Sequence, residues 1–179
     1  MKKALINTNI VMPDHIIRAA TVIIEDGRIA DFGRKLVADG VDEIIDLNGA
    51  YVGPGLIDIH THGCAGGDHL DGEQEKTAAI CDLMARKGTT SVLATLYFDT
   101  PRDELLGQID LVKKAMQTEE GANIAGLYME APYMNPKFGC DRESNPWKGP
   151  ILKEEYQPII DAVGTDAKAW VLAPERENI

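Results

Sequence analysis

The chain has 179 residues, of which 44% are hydrophobic and 26% charged, and this length allows one sizeable core or two small ones. Its formal net charge of −11, without any basic run, argues against nucleic acid and anionic membrane as partners. No apolar run could cross a bilayer, and the three widely spaced cysteines favour reduced thiols, and so a cytoplasmic protein, over a disulfide framework.

The first 52 residues predict a small β unit. Asp26-Gly27 lies between two apolar runs and is a strong signal for a tight hairpin turn. The pattern predicts an antiparallel arrangement of short strands at residues 3–8, 9–12, 20–25, 28–33 and 43–47.

From residue 53 onward, predicted strands alternate with predicted helices. The strands are expected at residues 56–61, 89–95, 124–130 and 169–175. One helix is expected at residues 73–86 and another at 153–163, and between them a helix is expected to begin after an N-cap at Thr100, with Pro101 in its first turn. This alternation is typical of parallel strands in right-handed βα units. Four such units are half of an eight-stranded barrel, which typically needs about 250 residues. A four-stranded open sheet is the alternative, and it would leave two edges unpaired.

Two histidines stand at the end of the first of these strands, in the sequence Gly-Pro-Gly-Leu-Ile-Asp-Ile-His-Thr-His-Gly. His60 and His62 are two residues apart, so their side chains share one face of a strand, together with Asp58. Two adjacent imidazoles form half of a metal site, and Asp58 is expected to support them rather than to catalyse. A cupin barrel also begins with His-x-His, but the helix predicted after residue 72 disfavours it.

Glu130 ends the third predicted strand of this region. In a (β/α)8 barrel the chemistry lies at the carboxyl ends of the strands, which brings Glu130 to the same edge as His60 and His62. A carboxylate there can bind or bridge a metal that imidazoles also hold. The sequence therefore predicts a metal site formed by His60, His62 and Glu130.

The segment Gly53–Gly63 resembles the first strand of the amidohydrolase superfamily, which comprises metal-dependent hydrolases on a (β/α)8 barrel. One family within that superfamily, the N-acetylglucosamine-6-phosphate deacetylases, has motifs that are similar to residues 130–139, 62–68 and 172–175. The resemblance implies an α/β fold: residues 53–179 would be the N-terminal half of the barrel, and residues 1–52 part of a small β-sandwich that precedes it.

The same resemblance implies removal of the acetyl group from an N-acetyl amino sugar, with or without a phosphate, by a protein that we expect to be a homo-oligomer. Glu130 would be the main protein ligand of a divalent metal, and His60 and His62 would serve a second ion in members that hold two. Zn²⁺ is the expected metal, with Fe²⁺, Mn²⁺ or Co²⁺ as alternatives. The acid/base aspartate of the family is expected beyond Ile179, so no catalytic residue is assigned within the chain, and residues 1–179 alone are not expected to be a working hydrolase.

Several positions depart from the deacetylase pattern. Tyr128 stands where His is usual and Ala131 where Gly is usual, and Cys140-Asp141 replaces residues that touch the sugar phosphate. Cys140 and Arg142 are the candidate substrate-binding residues, and Lys137 and Lys148 lie in the same predicted loop. Two other readings stay open: a different cyclic-amide amidohydrolase, disfavoured because residues 170–175 offer no lysine for carboxylation, and an inactive fragment or interaction module.

Overall fold

A computed structural model describes residues 1–71, 73–97, 99–117, 120–130, 132–138 and 143–179, and it divides into two compact units, Met1–Pro54 and Gly55–Ile179. The described part of the chain has no helix with the length and apolar character that a membrane span requires. Cys64 and Cys81 are not disulfide-bonded.

The first unit is one five-stranded sheet. Its strands follow the order β3-β2-β1-β4, and β5 also pairs with β1. Asp26 and Gly27 both adopt positive φ, 48° and 76°, as the predicted hairpin turn requires. The strands are β1 (Lys2–Val11), β2 (Ile16–Glu25), β3 (Arg28–Gly33), β4 (Glu43–Asp46) and β5 (Tyr51–Val52).

Two predictions for this unit are wrong. The sheet is mixed, because β4 and β5 run parallel to β1 while β2 runs antiparallel to it. Residues 34–42 carry the chain back to the start of β1, where the amide of Asp42 donates to the carbonyl of Lys2 at 2.8 Å. The two strands expected at residues 3–12 are one strand, which is irregular near Asn7, where φ is 53°. The expected β-sandwich is not confirmed, since the described residues of this unit form a single sheet.

The second unit is a parallel α/β structure with the sheet order β6-β7-β8-β9. The predicted alternation of strands and helices is therefore confirmed, and sequential parallel neighbours are what right-handed βα units produce. Its elements are β6 (Leu56–Thr61), α1 (Gln74–Arg86), β7 (Thr89–Tyr97), α2 (Arg102–Ala115), β8 (Asn123–Glu130), α3 (Lys153–Val163) and β9 (Ala167–Trp170), with 3₁₀ turns at His69–Asp71 and Gly164–Asp166.

The core of this unit lies between the sheet and the helices. Leu96 of β7 and Leu127 of β8 are fully buried against Ile109 of α2 and Ile159 of α3. These apolar side chains take one face of each strand, which leaves the alternate residues for the opposite face. Tyr128 and Glu130 are two of those alternate residues on β8.

Two boundaries in the second unit differ from the expectation. Pro101 occupies the N-cap position of α2, with ψ at 153°, and its carbonyl accepts the first helical bond from Leu105, so Thr100 is not the cap. The last strand is Ala167–Trp170 and not residues 169–175. The amide of Val171 still bonds to Met129, but that of Ala173 bonds to Tyr133 in the loop after β8, so the chain has left the sheet there.

Candidate metal centre

The structure brings His60, His62 and Glu130 together at the carboxyl edge of the parallel sheet. His60 lies near the end of β6, His62 follows that strand directly, and Glu130 is the last residue of β8. Strand β7 separates β6 from β8, so the two backbones are about 10 Å apart. The side chains span this gap above the end of β7, because all three point to the same face of the sheet.

The three side chains present their ligand atoms to one another. The Nε2 atoms of His60 and His62 lie 3.0 Å and 3.1 Å from the same oxygen, Oε2 of Glu130. One ligand atom from each of the three residues lies within 4.8 Å of the ligand atoms of the other two. Two imidazole nitrogens and a carboxylate oxygen form a donor set suited to Zn²⁺ and related divalent ions. The residues therefore fit the metal that the sequence predicts, and metal binding itself stays a prediction.

The backbone around the two histidines is held by local hydrogen bonds. Oδ1 of Asp58 accepts from the amide of His60 at 3.0 Å, which is the supporting role expected of Asp58. The amide of His69 donates to the carbonyl of His62 at 2.8 Å, so the loop after β6 folds back onto the strand end. This fold needs a glycine at position 63, because a Cβ there would collide with the carbonyl oxygen of Gly67.

His69 is a residue that sequence reasoning missed. Its side chain is fully buried, and neither ring nitrogen has a hydrogen-bond partner in the described part of the chain. Burial lowers the pKa of His69 and the nearby His62 lowers it further, although the charge of Asp68 opposes both effects. The ring is therefore neutral at pH 7, so it adds no positive charge beside the cluster. No sequence pattern separates such a buried histidine from an exposed one.

Two tyrosines pack against the imidazoles. The Tyr128 ring is stacked on His60, with centroids 4.5 Å apart and planes 18° apart, and the Tyr97 ring meets His62 edge-on at 4.9 Å. Tyr128 was singled out only as a departure from a family pattern, and Tyr97 was missed. A signal was available, because Tyr128 stands two residues before Glu130 and so shares its strand face.

The two candidate substrate-binding residues, Cys140 and Arg142, lie outside the described residues, as does Asp141. In the described flanks of the same loop, Nζ of Lys148 donates to the carbonyl of Glu143 at 2.9 Å. The thiol of Cys64 points to the carbonyl of Ile80 in α1, at 3.8 Å, and not to the cluster. The described geometry thus gives Cys64 no place among the grouped ligand atoms.

The loop between β8 and α3 is anchored by one guanidinium. Arg176, which follows β9, donates from Nη1 to the carbonyl of Met134 at 2.9 Å and from Nη2 to those of Trp147 at 3.1 Å and Gly149 at 2.6 Å. Bonds from a charged donor are roughly twice as strong as neutral ones. Both described ends of the loop are therefore fixed to the segment after β9.

A second tie joins the same two segments. Nδ2 of Asn135 donates to Oε1 of Glu175 at 2.6 Å. This bond is the main cause that lowers the pKa of Glu175, and the charge of Arg176 adds a smaller effect of the same sign. Glu175 is therefore an anion, and it accepts from Asn135 more strongly than its protonated form would.

A comparison with protein families matches residues 51–175 to the amidohydrolase family. The chain belongs to the amidohydrolase family. Members of this family use divalent metals, which agrees with the grouping of His60, His62 and Glu130. The match begins at β5 and includes every strand and helix of the second unit.

Among curated relatives, an N-acetylglucosamine-6-phosphate deacetylase from Lysinibacillus sphaericus is 29% identical, over 88% of this amidohydrolase chain and 40% of its own length. An N-acetylgalactosamine-6-phosphate deacetylase from Escherichia coli O157:H7 is 27% identical, over 92% and 45%. A dihydroorotase from Bacillus cereus is 28% identical, over 59% and 24%. The chain thus spans less than half the length of the relatives it matches.

Solved structures agree on the fold. An N-acetylglucosamine-6-phosphate deacetylase from Pasteurella multocida superposes with a TM-score of 0.82 at 21% identity, over 99% of this chain and 46% of that one. A D267A mutant of the Mycobacterium smegmatis enzyme, in complex with N-acetyl-D-glucosamine-6-phosphate, gives 0.76 at 21%, over 99% and 44%. At this identity the likeness concerns the fold of the chain alone.

Proposed function

We propose that the protein is a metal-dependent amide hydrolase that deacetylates an N-acetyl amino sugar phosphate. The observation that carries the proposal is the convergence of two imidazoles and one carboxylate at the carboxyl edge of a parallel sheet, in a member of the amidohydrolase family. In barrels of this type that edge is where catalysis takes place. Residues 1–179 are proposed to contribute part of the active site, and the remaining catalytic groups are proposed to lie outside them.

His60, His62 and Glu130 would hold the divalent ion, of which Zn²⁺ is the proposed species. When bound, such an ion supplies a hydroxide nucleophile at neutral pH, because it lowers the pKa of water from 15.7 to ~7. Glu130 also offsets the positive charge at the site, since it is the only carboxylate among the three grouped residues. Asp58 keeps the end of β6 in place through the amide of His60. Proton transfer is proposed to come from an aspartate outside residues 1–179.

The proposed substrate follows from the relatives that match almost the whole chain. The deacetylases from Lysinibacillus sphaericus and Escherichia coli O157:H7 match 88% and 92% of it, and their names specify two different N-acetylhexosamine 6-phosphates. We favour N-acetylglucosamine-6-phosphate, with Cys140 and Arg142 proposed to contact it. The charges beside the loop are mixed: Lys137 and Lys148 share a groove of about 450 Å³ with Glu175 and Glu177. The deacetylation is therefore better supported than the phosphate specificity.

A cyclic-amide substrate is the second candidate, favoured by the similarity to dihydroorotase over 106 residues. Many enzymes that open cyclic amides carry a carboxylated lysine on the fourth barrel strand. Strand β9 does contain Lys168, but its Nζ donates to the carbonyl of Thr165 at 2.8 Å, and its stem lies beside Gly126. Gly126 precedes Glu130 by four residues on β8, or about 13 Å, so this lysine is far from the cluster.

The parallel sheet is proposed to be half of a (β/α)8 barrel. The solved relatives that superpose on 99% of this chain are about twice its length. The edge strand β6 also exposes Leu56, Ile57 and Ile59, each by more than 60%. Apolar side chains on an open edge are unfavourable in water, so a further strand or segment that covers them would complete the fold.

Two lesser parts of the proposal are a cytoplasmic location and a homo-oligomeric assembly. The three widely spaced cysteines of the sequence favour reduced thiols, and so a reducing compartment. Size-exclusion chromatography with light scattering on the complete gene product tests the assembly, and a monomer would refute it.

The experiment that tests the proposed function is a metal and activity assay on the complete gene product. The protein is stripped of metal, titrated with Zn²⁺, and assayed on N-acetylglucosamine-6-phosphate, N-acetylgalactosamine-6-phosphate, unphosphorylated N-acetylglucosamine and dihydroorotate. We expect zinc-dependent release of acetate from a phosphorylated amino sugar. Turnover of dihydroorotate alone would favour the second candidate, and equal use of phosphorylated and free sugar would remove the phosphate requirement.

Glu130→Gln is the variant that tests the ligand role, because it removes the anion while keeping the size of the side chain. We expect a loss of Zn²⁺ affinity above the ~10–100-fold that removal of an outer-shell partner costs, with activity lost in parallel. Glu104→Gln on α2 is the matched control, since Glu104 is exposed and lies in the first turn of that helix. If Glu130→Gln retained the metal content and turnover of the control, Glu130 would not be a ligand.

A further inference from the structure

Each histidine of the cluster has an aromatic neighbour from a different strand. Tyr128 comes from β8, two residues before Glu130, and Tyr97 is the last residue of β7, directly opposite Glu130 in the strand register. The two tyrosines therefore stand on the same sheet edge as the ligand atoms, one against each imidazole.

The hydrogen-bonding distances to Glu130 fix only one atom of each imidazole. A ring that is tethered through Nε2 can still rotate about its side-chain torsions. Such a rotation turns the lone pair of the nitrogen away from the position that a metal ion would take between the three ligand atoms. The side chains of His60 and His62 are about 40% exposed, so close packing does not surround them. A flat contact such as the Tyr128–His60 stack, at 4.5 Å and 18°, removes that freedom because it fixes the plane of the ring.

The Tyr97 contact complements the stack. Its ring meets the His62 ring at 85°, and the two imidazoles are themselves tilted by 59° with centroids 5.4 Å apart. An edge-on contact restrains His62 from a different direction than the stack restrains His60. Together the two contacts keep the imidazoles in unequal orientations that both direct Nε2 toward Oε2 of Glu130.

We propose that Tyr128 and Tyr97 are positioning residues that orient His60 and His62 for metal binding, with Tyr128 as the more important of the two. The inference rests on the proposed function, because it takes the cluster to be a metal site. Neither tyrosine is assigned contact with the metal or with substrate. For Tyr128 the aromatic ring and not the hydroxyl is proposed to be the active part, since its contact with His60 is a stack of ring faces.

The test uses the complete gene product and three substitutions. Tyr128→Leu removes the ring, Tyr128→Phe keeps it, and Tyr51→Leu is the matched control because Tyr51 is 61% exposed in the first unit. Zn²⁺ affinity is measured by competition with a chelator, and the visible spectrum of the Co²⁺-substituted protein reports the ligand geometry. The ring protons of His60 are followed by NMR in the metal-free protein, where a stacked phenol shifts them upfield.

We expect Tyr128→Leu to weaken Zn²⁺ binding on the order of 10-fold, as loss of a residue that orients a ligand does, and to change the Co²⁺ spectrum and abolish the upfield shift. Tyr128→Phe and Tyr51→Leu should match the unsubstituted protein in all three measurements. If Tyr128→Leu does not fold, Tyr97→Leu takes its place: we expect a smaller loss of Zn²⁺ affinity, a changed Co²⁺ spectrum and a change in the chemical shifts of the His62 ring protons.

The outcomes separate the inference from the proposed function. If the unsubstituted protein binds Zn²⁺ and the leucine variants bind it equally well with an unchanged Co²⁺ spectrum, the inference is refuted while the metal site stands. If the unsubstituted protein binds no Zn²⁺ through His60, His62 and Glu130, both are refuted. A loss of affinity in Tyr128→Phe as large as in Tyr128→Leu would also refute it, because the hydroxyl and not the ring would then be the active part.

Discussion

Gly126 of β8 lies close to the turn that leads into β9, and replacing it with alanine should destabilise the second unit. A Cβ at this position would stand 2.5 Å from the carbonyl oxygen of Asp166 and 2.5 Å from Cγ of Lys168. Ordinary contact distances are about 1 Å longer. The lysine stem can swing aside, but the carbonyl belongs to the backbone of the turn before β9 and cannot move alone.

The backbone must therefore shift to make room for the methyl group, and this shift would disturb the pairing of β8 with β9, in which Leu127 pairs with Ala167 and Tyr128 with Ala169. Overpacking of this kind costs about 1–3 kcal/mol of the free energy of unfolding. In a unit of this size that lowers the Tm by roughly 4 °C per kcal/mol. Urea unfolding followed by tryptophan fluorescence measures the change, because Trp170 is the last residue of β9.

Gly107→Ala is the matched control for the same chemical change. Gly107 is exposed in the middle of α2, and a Cβ there meets no atom within 4 Å. Alanine is a better helix former than glycine, so this variant should be more stable by about 0.5–1 kcal/mol. The reasoning is refuted if Gly126→Ala is as stable as the unsubstituted protein, or if the two alanine variants shift stability in the same direction.

Two further predictions concern the core and the loop after β8. Leu127→Ala, at a fully buried position, should cost about 3–4 kcal/mol, whereas Leu111→Ala, at a position 40% exposed on α2, should cost under about 1 kcal/mol; equal urea midpoints for the two would contradict the core assignment. Asn135→Ala should raise the pKa of Glu175, because the hydrogen bond from the side-chain amide of Asn135 is the main cause that lowers this pKa. A carboxyl with a lowered folded pKa contributes stability that is present above its unfolded pKa and lost as the pH falls through the folded one, so Asn135→Ala should be less stable than the unsubstituted protein at pH 7, and this difference should shrink as the pH falls through the folded pKa of Glu175. An NMR titration of Glu175 that is unchanged by the substitution would count against the Asn135 bond.

The parts of the fold that the sequence predicted correctly depend on local patterns. The period-2 alternation around His60 places both imidazoles on one strand face without any knowledge of the partners. The hairpin at Asp26-Gly27 and the end of α3 at Gly164 depend on backbone conformations that few residues other than glycine adopt readily. In each case the signal lies within a few residues of the feature that it predicts.

The incorrect or missing parts depend on contacts between distant residues. Residues 171–175 have the composition of a strand, yet Ala173 bonds to Tyr133, a residue 40 positions earlier, and leaves the sheet. The parallel direction of β4 follows from where residues 34–42 return the chain, which no local pattern encodes. The aromatic neighbours of the imidazoles likewise come from strands that only the sheet order brings to β6.

The hydrogen bonds by which Arg176 holds the loop after β8 bear on how the sequence of this loop can evolve. The guanidinium donates to the main-chain oxygens of Met134, Trp147 and Gly149. Main-chain oxygens are present whatever residue occupies a position, so the anchor tolerates new side chains along the loop. The segment beside Glu130 can therefore acquire a different sequence, and with it a different substrate preference, without losing its attachment to the segment after β9.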